Sequence, residues 1–408
     1  MDCITMSKKE RVQLVIFDRL KQGEIRQVEA AAQLKVSTRW VRQKLKRYYL
    51  EGERGLVHRN RGRVSNRRWK QEEQELLLTL LRGQWHDFGP TFIARKLRTQ
   101  HGIQVSRETV RQTMLRHGLW QAGTQKVRHR AWRRRKAMRG IMIQLDGSRH
   151  DWFEGRGPMC TLLAFIDDAT SQVMWLEFAA SESLTAVMTA QLKYLQLYGA
   201  PQSIYVDYGS VFSVNTNNPE RTKITQFERA LIEVNIELIH ARSPQAKGRV
   251  ERLFATLQDH LPKELRLAGV ATIAAANHFL QESNYLQQHN QLFAVPPALT
   301  GDAHRSVADY NLQDSFCIKE QRVVANDFTV CHQQRILQVT SQQLVLVRPK
   351  DLVNVHTHLD GSLSLHLRGH SLAFQQVGTR LRTRLSPVDY VNLARPFEHD
   401  AVQAGAVG

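Results

Sequence analysis

The chain has 408 residues, 42% of them hydrophobic and 23% charged, which is a globular composition at a length that calls for roughly two to four domains. No apolar run reaches the roughly 18 residues of a membrane span, and Met1 to Lys9 carries no apolar signal core. The four scattered cysteines (Cys3, Cys160, Cys317, Cys331) make neither a disulfide framework nor a CxxC pair. No membrane span, no secretion and a reducing cytoplasm with free thiols are therefore expected. The net charge of +19 is unevenly placed: residues 1–140 hold 34 Lys and Arg against 12 Asp and Glu, whereas the remaining 268 residues hold 23 against 26. A basic front on a nearly neutral body is the footprint of a polyanion binder.

Residues 10–22 read as an amphipathic helix and 26–34 as a second, followed by a tight turn at Lys35-Val36-Ser37 with Ser37 as N-cap. In the third helix Val41, Leu45 and Tyr48 share one face, while Arg39, Arg42, Lys46 and Arg47 fall elsewhere. This pattern predicts a helix-turn-helix domain over 1–55 with a basic recognition helix for the major groove. A basic linker over 56–68 carries Arg61-Gly62-Arg63, an arm for a minor groove or a solvated loop. The layout then repeats over 69–123, with helices over 71–81 and 91–97. Ser106 caps the last helix of this unit, which carries Arg107 and Arg111 and stops at Gly118. A second basic linker, 124–140, includes Arg133, Arg134, Arg135 and Lys136 and is expected to touch phosphates in a salt-sensitive way.

From residue 141 strands and helices alternate. Ile141–Asp146 reads as a short buried strand delivering a carboxylate at its end. Strands over 160–167 and 172–178 follow, then a helix over 183–198, a strand Ser203–Asp207, a helix over about 221–234 and a strand over 235–240. Ser243 and Pro244 open a long helix that carries Glu251. The expected order is βββαβαβα over a core of 141–265. A helical extension over 266–315 comes next. Short strands over 316–395 suggest a small β-barrel, among them Gln343–Val347 and a hairpin turning at Asp360-Gly361. A disordered tail over 396–408 ends the chain. The fold class is thus multi-domain: tandem all-α helix-turn-helix units, a central α/β core and a C-terminal barrel.

Asp146 and Asp207, each ending an apolar strand, and Glu251, on a helix with the longer reach, are the candidate catalytic and metal-binding residues. Phosphoryl transfer on DNA needs an activated oxygen and neutralised charge, which two Mg²⁺ (or Mn²⁺) ions about 3.5–4 Å apart provide. Mg²⁺ takes hard oxygen ligands and keeps waters, so three carboxylates suffice. Lys247, four residues before Glu251, either touches a phosphate or forms a surface ion pair. Asp167 and Asp168 either compete for metal or shape the turn before the third strand. Asp151 and Glu154 read as exposed loop acids, and His356, His358 and His366 as alternating barrel residues.

Four segments carry a family resemblance: Ile-Gln-Leu-Asp146-Gly, Ala-Phe-Ile-Asp167-Asp168-Ala-Thr, Gly-Ala-Pro-Gln-Ser-Ile-Tyr-Val-Asp207 and Ala-Arg-Ser-Pro-Gln-Ala-Lys247-Gly-Arg-Val-Glu251-Arg. Residues 141–265 resemble the ribonuclease-H-like core of DDE transposases and retroviral integrases. With the two helical units in front and a barrel behind, nearly the whole chain resembles bacterial insertion-sequence transposases of the ISNCY type. The resemblance implies metal-ligand roles for Asp146, Asp207 and Glu251. It also implies cleavage at transposon ends to free a 3′-OH that attacks target DNA, and a homodimer or larger multimer on double-stranded DNA in the bacterial nucleoid. Three departures stand out. The interval of 44 residues from Asp207 to Glu251 is long, which an Asn-rich stretch over 215–219 accounts for; Gln258 stands where many relatives carry a basic residue; and the His/Cys zinc module of integrases is absent. A ribonuclease-H-like nuclease without strand transfer and a DNA-binding regulator with an inactive core remain the alternatives.

Overall fold

In the basic front of the chain, helices start where short hydroxyl side chains take over orphan backbone amides. The structure, a computed structural model, describes residues 5–60, 69–121, 134–213, 224–241 and 248–379. Helix α1 (Lys8–Lys21) opens on a capping box between Ser7 and Glu10. After α2 (Gln27–Leu34), Lys35 turns the chain in the left-handed region at φ 54°, and α3 (Thr38–Glu51) begins on Ser37, whose Oγ accepts from the Trp40 amide at 3.3 Å. Phe17, Ala30, Val41 and Leu56 close a small core from which Tyr48 reaches out to donate to Asp18. The second group comprises α4 (Gln71–Arg82), α5 (Pro90–His101) and α6 (Arg107–Arg116). It is capped by Ser106 in the same way and filled by Trp85, Phe88, Phe92 and Leu97.

Residues 1–121 and 122–408 form two separate compact units. In the second, five strands build one mixed sheet: β1 (Met142–His150), β2 (Cys160–Asp167), β3 (Val173–Ala179), β4 (Ser203–Val206) and β5 (Glu237–His240), in the order β3-β2-β1-β4-β5. The first three run antiparallel, and β4 and β5 lie parallel to β1. Helices α7 (Leu184–Tyr198) and α8 (Gln226–Glu233) join the strands, and α9 (Gly248–Leu267) follows β5, so the βββαβαβα order holds. Every residue of β2 is buried because both faces are covered. Leu163 and Phe165 pack on one face with Val187, Tyr194 and Leu231; Leu162, Ala164 and Ile166 pack on the other with Val250, Leu257 and Leu261.

One expectation about β1 needs correcting. Asp146 does not end the strand but sits at its middle, paired with Ala164. The antiparallel hairpin with β2 carries β1 on to His150, whereas the parallel pairing with β4 covers only Met142–Gln144. Asp146 therefore lies just past the end of the parallel half of the sheet.

Helices α10 (Ile273–Glu282) and α11 (Tyr285–Phe293) guard the open edge of β3. The Asn277 side chain accepts from the Phe178 amide at 2.7 Å and donates to its carbonyl at 2.9 Å; Asn290 does the same for Val173 at 2.8 Å each way. Each amide stands in for a neighbouring strand. Ala276, Leu280 and Tyr285 join the α9 side of the core, so this helical segment is part of the sheet's packing.

A short helix, α12 (Leu312–Ser315), precedes two small sheets around one apolar core of Val330, Leu337, Val353, Val355 and Leu365. One sheet holds β6 (Ile318–Val323), β9 (Leu352–Thr357), β10 (Leu363–Leu367) and β11 (His370–Leu372); the other holds β7 (Thr329–His332), β8 (Arg335–Val339) and β12 (Phe374–Thr379). The expected turn at Asp360-Gly361 joins β9 to β10. Gln343–Val347 is not a strand. Val345 and Val347 do pack on the core while Leu344 and Leu346 face outward, but the Gln343 side chain takes the ladder's place by bonding both the amide and the carbonyl of Ala373. The expected tail over 396–408 lies outside the described residues.

Candidate active site

The parallel register brings the two aspartate-bearing segments out at the same end of the paired strands. Met142 pairs with Ser203 and Gln144 with Tyr205; Asp146 follows the last pair by two residues on β1, and Asp207 follows it by two residues just beyond β4. Both are half-buried, and each is steadied by a local amide: Asp146 Oδ1 accepts from Gly147 at 3.1 Å, and Asp207 Oδ1 from Gly209 at 2.8 Å. A Cβ on Gly147 would sit 2.8 Å from the carboxylate carbon of Glu182, and one on Gly209 would sit 2.9 Å from Asp207 Oδ1, so a side chain at either position would displace a neighbouring carboxylate.

Glu251 stands exposed in the first turn of α9. Gln144, Asp146 and Ser148 alternate onto one face of β1, and α9 is tied to that face because Gln258 Nε2 donates to Ser148 Oγ at 3.0 Å. Glu251 precedes Gln258 by two helical turns and so lies on the same side of α9. The donor set is three carboxylates, hard oxygen ligands suited to Mg²⁺ or Mn²⁺ and ill-suited to a soft metal.

Asp167 and Asp168 are fully buried and their oxygens are in use. Asp167 closes the β2–β3 turn by accepting from the Thr170 amide and hydroxyl at 2.8 and 2.7 Å, and it also accepts from the Gly140 amide at 2.9 Å. Asp168 accepts from Gln144 Nε2 at 2.7 Å, Arg249 Nη1 at 2.6 Å and the Lys136 amide at 2.8 Å. Of the loop acids, Asp151 is half-buried, its carboxylate capping the Gly155 amide, and Glu154 pairs with Arg266 at 2.9 Å.

The basic candidates divide by what already holds them. Arg39, Arg42 and Lys46 lie exposed on α3, and Arg107 is exposed at the start of α6. Arg111 is gripped by Glu108 through two bonds of 2.8 and 2.7 Å, and its guanidinium, with Gln112, pulls the Glu108 carboxyl down to about 2. Arg134 is exposed, whereas Arg135 reaches the β2–β3 turn, donating to Ser171 Oγ at 2.7 Å and to the Asp168 carbonyl at 3.2 Å. Arg133, Lys247, Ser243, Pro244 and the 215–219 stretch lie outside the described residues.

Among the described residues, the group of three metal-type ligands gathered within 4.8 Å is a different one, Asp314, Cys317 and His356. Its atoms already serve one another. His356 Nδ1 donates to Asp314 Oδ1 at 2.7 Å, the Cys317 thiol to the Asp314 carbonyl at 2.9 Å, and the Lys319 ammonium lies 3.4 Å from the same carboxylate. Burial pushes the Cys317 thiol up to about 11, so it stays protonated.

The contacts made by several residues near the acids are not legible in the sequence. Ser148 draws no notice there, Gln258 stands out only as a departure from a basic residue, and Arg249 reads as a lining of the DNA path or an exposed side chain; their partners are far away in the chain. Gln144 does carry a local signal: a lone amide inside the apolar run Met142–Leu145. Tyr208, directly after Asp207, is 61% exposed and stacks on His240 at 5.0 Å, while His240 Nδ1 donates to the Asp207 carbonyl at 3.2 Å.

No family model matches the chain. Two relatives do. A putative transposase, y4bF of Sinorhizobium fredii, is 38% identical over 378 residues, covering 92% of this chain and 82% of its own length. The transposase for insertion sequence IS1202 of Streptococcus pneumoniae is 28% identical over 323 residues, covering 70% and 68%. Among solved structures, a simian T-cell lymphotropic virus intasome bound to a PP2A regulatory subunit overlaps 76% of this chain and 100% of the matched chain at 13% identity and TM-score 0.32. The HTLV-2 integrase catalytic core domain in complex with magnesium overlaps 35% of this chain and 83% of that one at 18% identity and TM-score 0.27. These superpositions are loose, and the assignment rests on the two transposases. They place the protein in the class of polynucleotidyl transferases. Within that class, the chain belongs to the insertion-sequence transposases.

Proposed function

We propose that the protein is a DDE transposase that binds the terminal inverted repeats of its insertion sequence, cleaves there and joins the freed 3′-OH to target DNA. The observation that supports this reading is that Asp146 and Asp207 each follow the last parallel pair of β1 and β4 by two residues, with the Glu251 helix tied to β1 through Ser148 and Gln258. Asp146, Asp207 and Glu251 hold two Mg²⁺ or Mn²⁺ ions. When bound, these supply neutralisation of charge at the phosphate and leaving oxygen, and activation of the attacking hydroxyl. Asp146 would provide carboxylate oxygens from β1 and Asp207 from the residue just after β4, and Glu251 would approach from the helix side. The domain plan of the sequence analysis is part of the same proposal. Helix-turn-helix units over 1–55 and 69–123 read DNA through Arg39, Arg42, Lys46, Arg107 and Arg111. The linker residues Arg133, Arg134 and Arg135 and the core residue Lys247 meet phosphates. A ribonuclease-H-like core over 141–265 performs the chemistry, and two or more copies act together on paired ends.

The test is a strand-transfer assay with purified protein, labelled terminal-repeat DNA and Mg²⁺. Joined product is expected, and Asp146→Asn should abolish it while DNA binding persists. Cleavage without joining would instead identify a nuclease. Tight binding with an inert wild-type protein would identify a regulator.

A further inference from the structure

We infer that Asp168 is a positioning residue that locks the Asp146 strand to the Glu251 helix and thereby sets the metal affinity of the site. Asp168 Oδ1 accepts from two side chains at once. Gln144 Nε2 comes from β1 at 2.7 Å and Arg249 Nη1 from the first turn of α9 at 2.6 Å. Gln144 is two residues before Asp146 on the same face of the strand, and Arg249 is two residues before Glu251. The other oxygen, Oδ2, takes the Lys136 amide at 2.8 Å. Asp168 is 0% exposed and the Arg249 side chain only 14%, so the pair is out of water, where a charge-assisted bond is short and geometrically strict. A second bridge, Ser148 to Gln258, crosses between the same two elements beyond the acids. The strand and helix that carry Asp146 and Glu251 are thus pinned on both sides of those residues.

The state of Gln144 argues that the link is kept for more than packing. The side chain is fully buried, and its Oε1 has no hydrogen-bond partner among the described residues. An apolar residue of that size would fill the space without leaving a carbonyl unsatisfied. What the amide provides is the donor to Asp168. Carboxylate ligands need outer partners to hold their orientation, and loss of such partners lowers metal affinity by about 10–100-fold in known sites.

The inference rests on the metal-site reading of Asp146, Asp207 and Glu251, and the experiment separates the two. Mn²⁺ would be titrated into the full chain, free ion read by electron paramagnetic resonance, with thermal unfolding measured alongside. Gln144→Met should weaken Mn²⁺ binding about 10-fold or more with little loss of unfolding temperature. Asp168→Asn should weaken it as much and also lower the unfolding temperature, because it removes the buried negative charge that the Arg249 guanidinium meets at 2.6 Å. The double variant Asp168→Asn with Arg249→Met should recover the unfolding temperature but not the Mn²⁺ affinity, a split that a merely structural ion pair would not produce. Wild-type Mn²⁺ affinity in Gln144→Met, or recovery of both quantities in the double variant, overturns the inference. Glu251→Gln serves as the control: if it binds Mn²⁺ as the wild type does, the metal-site reading itself fails, whatever Gln144→Met shows.

Discussion

Asp167 offers the sharpest separation of a structural acid from a metal ligand. It is fully buried, and three donors converge on it: the Thr170 amide and hydroxyl on Oδ1 and the Gly140 amide on Oδ2. Gly140 in turn accepts from the Gln202 amide at 3.0 Å, so this one carboxylate helps set where both β1 and β4 begin. In Asp167→Asn one oxygen survives for Thr170, and the new NH₂ faces the Gly140 amide, donor against donor. A hydrogen bond to a charged group contributes about 1.5–3 kcal/mol, and a stranded buried donor costs about 1–3 kcal/mol. Because these overlap in one site, a destabilisation of about 2–4 kcal/mol is expected. At about 2–4 °C per kcal/mol for a unit of this size, the unfolding midpoint should fall by about 5–15 °C. Scanning calorimetry of the full chain measures it, and a Mn²⁺ titration of the folded variant should match the wild type. The reasoning is refuted if the midpoint stays within about 1 °C, and more so if Mn²⁺ affinity collapses at an unchanged midpoint, which would make Asp167 a ligand.

Three further outcomes can be checked separately. Asn290→Ala removes both bonds to the nearly inaccessible Val173 backbone, at about 1–3 kcal/mol for each group left unsatisfied. Calorimetry should show a lower midpoint and light scattering should show aggregation through the bared β3 edge; a variant as stable as wild type would mean that the edge needs no guard. Glu108→Gln frees Arg111 for phosphate, so the slope of log binding constant against log salt on duplex DNA should steepen by about 0.9, and an unchanged slope would remove Arg111 from the interface. The histidines His332, His356 and His366 of the two small C-terminal sheets all have pKa values lowered, chiefly by burial, from the ordinary 6.5. At Asp314, burial pushes the carboxyl up, but the His356 bond and the Lys319 charge outweigh it and the net shift is down. The unfolded chain therefore takes up protons that the folded C-terminal sheets resist. Stability is full above about pH 6.5, falls as pH drops below it, and falls further below the unfolded Asp value near 3.8. Circular-dichroism melts at pH 7.5 and 5.5 should show the lower midpoint at 5.5, and identical midpoints would contradict neutral buried imidazoles.

What was legible in the sequence was whatever a few neighbouring residues decide among themselves. Ser37 and Ser106 cap helices because a hydroxyl three residues ahead of an amide needs nothing else. Asp360-Gly361 turns a hairpin because the glycine accepts φ 84°. The apolar runs ending near Asp146 and Asp207 marked strands, since continuous burial on two faces excludes polar alternation. Tertiary structure decided what depends on a partner far along the chain. Gln343–Val347 alternates like a strand, yet no composition reveals that a glutamine side chain occupies the place of its partner. Asp146 lies within its strand because β2 pairs past it to His150, and pairing is a property of two segments. The carboxylates of Asp167 and Asp168 look alike in sequence. Only the fold gives the first to a turn and the second to Gln144 and Arg249, because a buried charge takes its meaning from the donors brought around it.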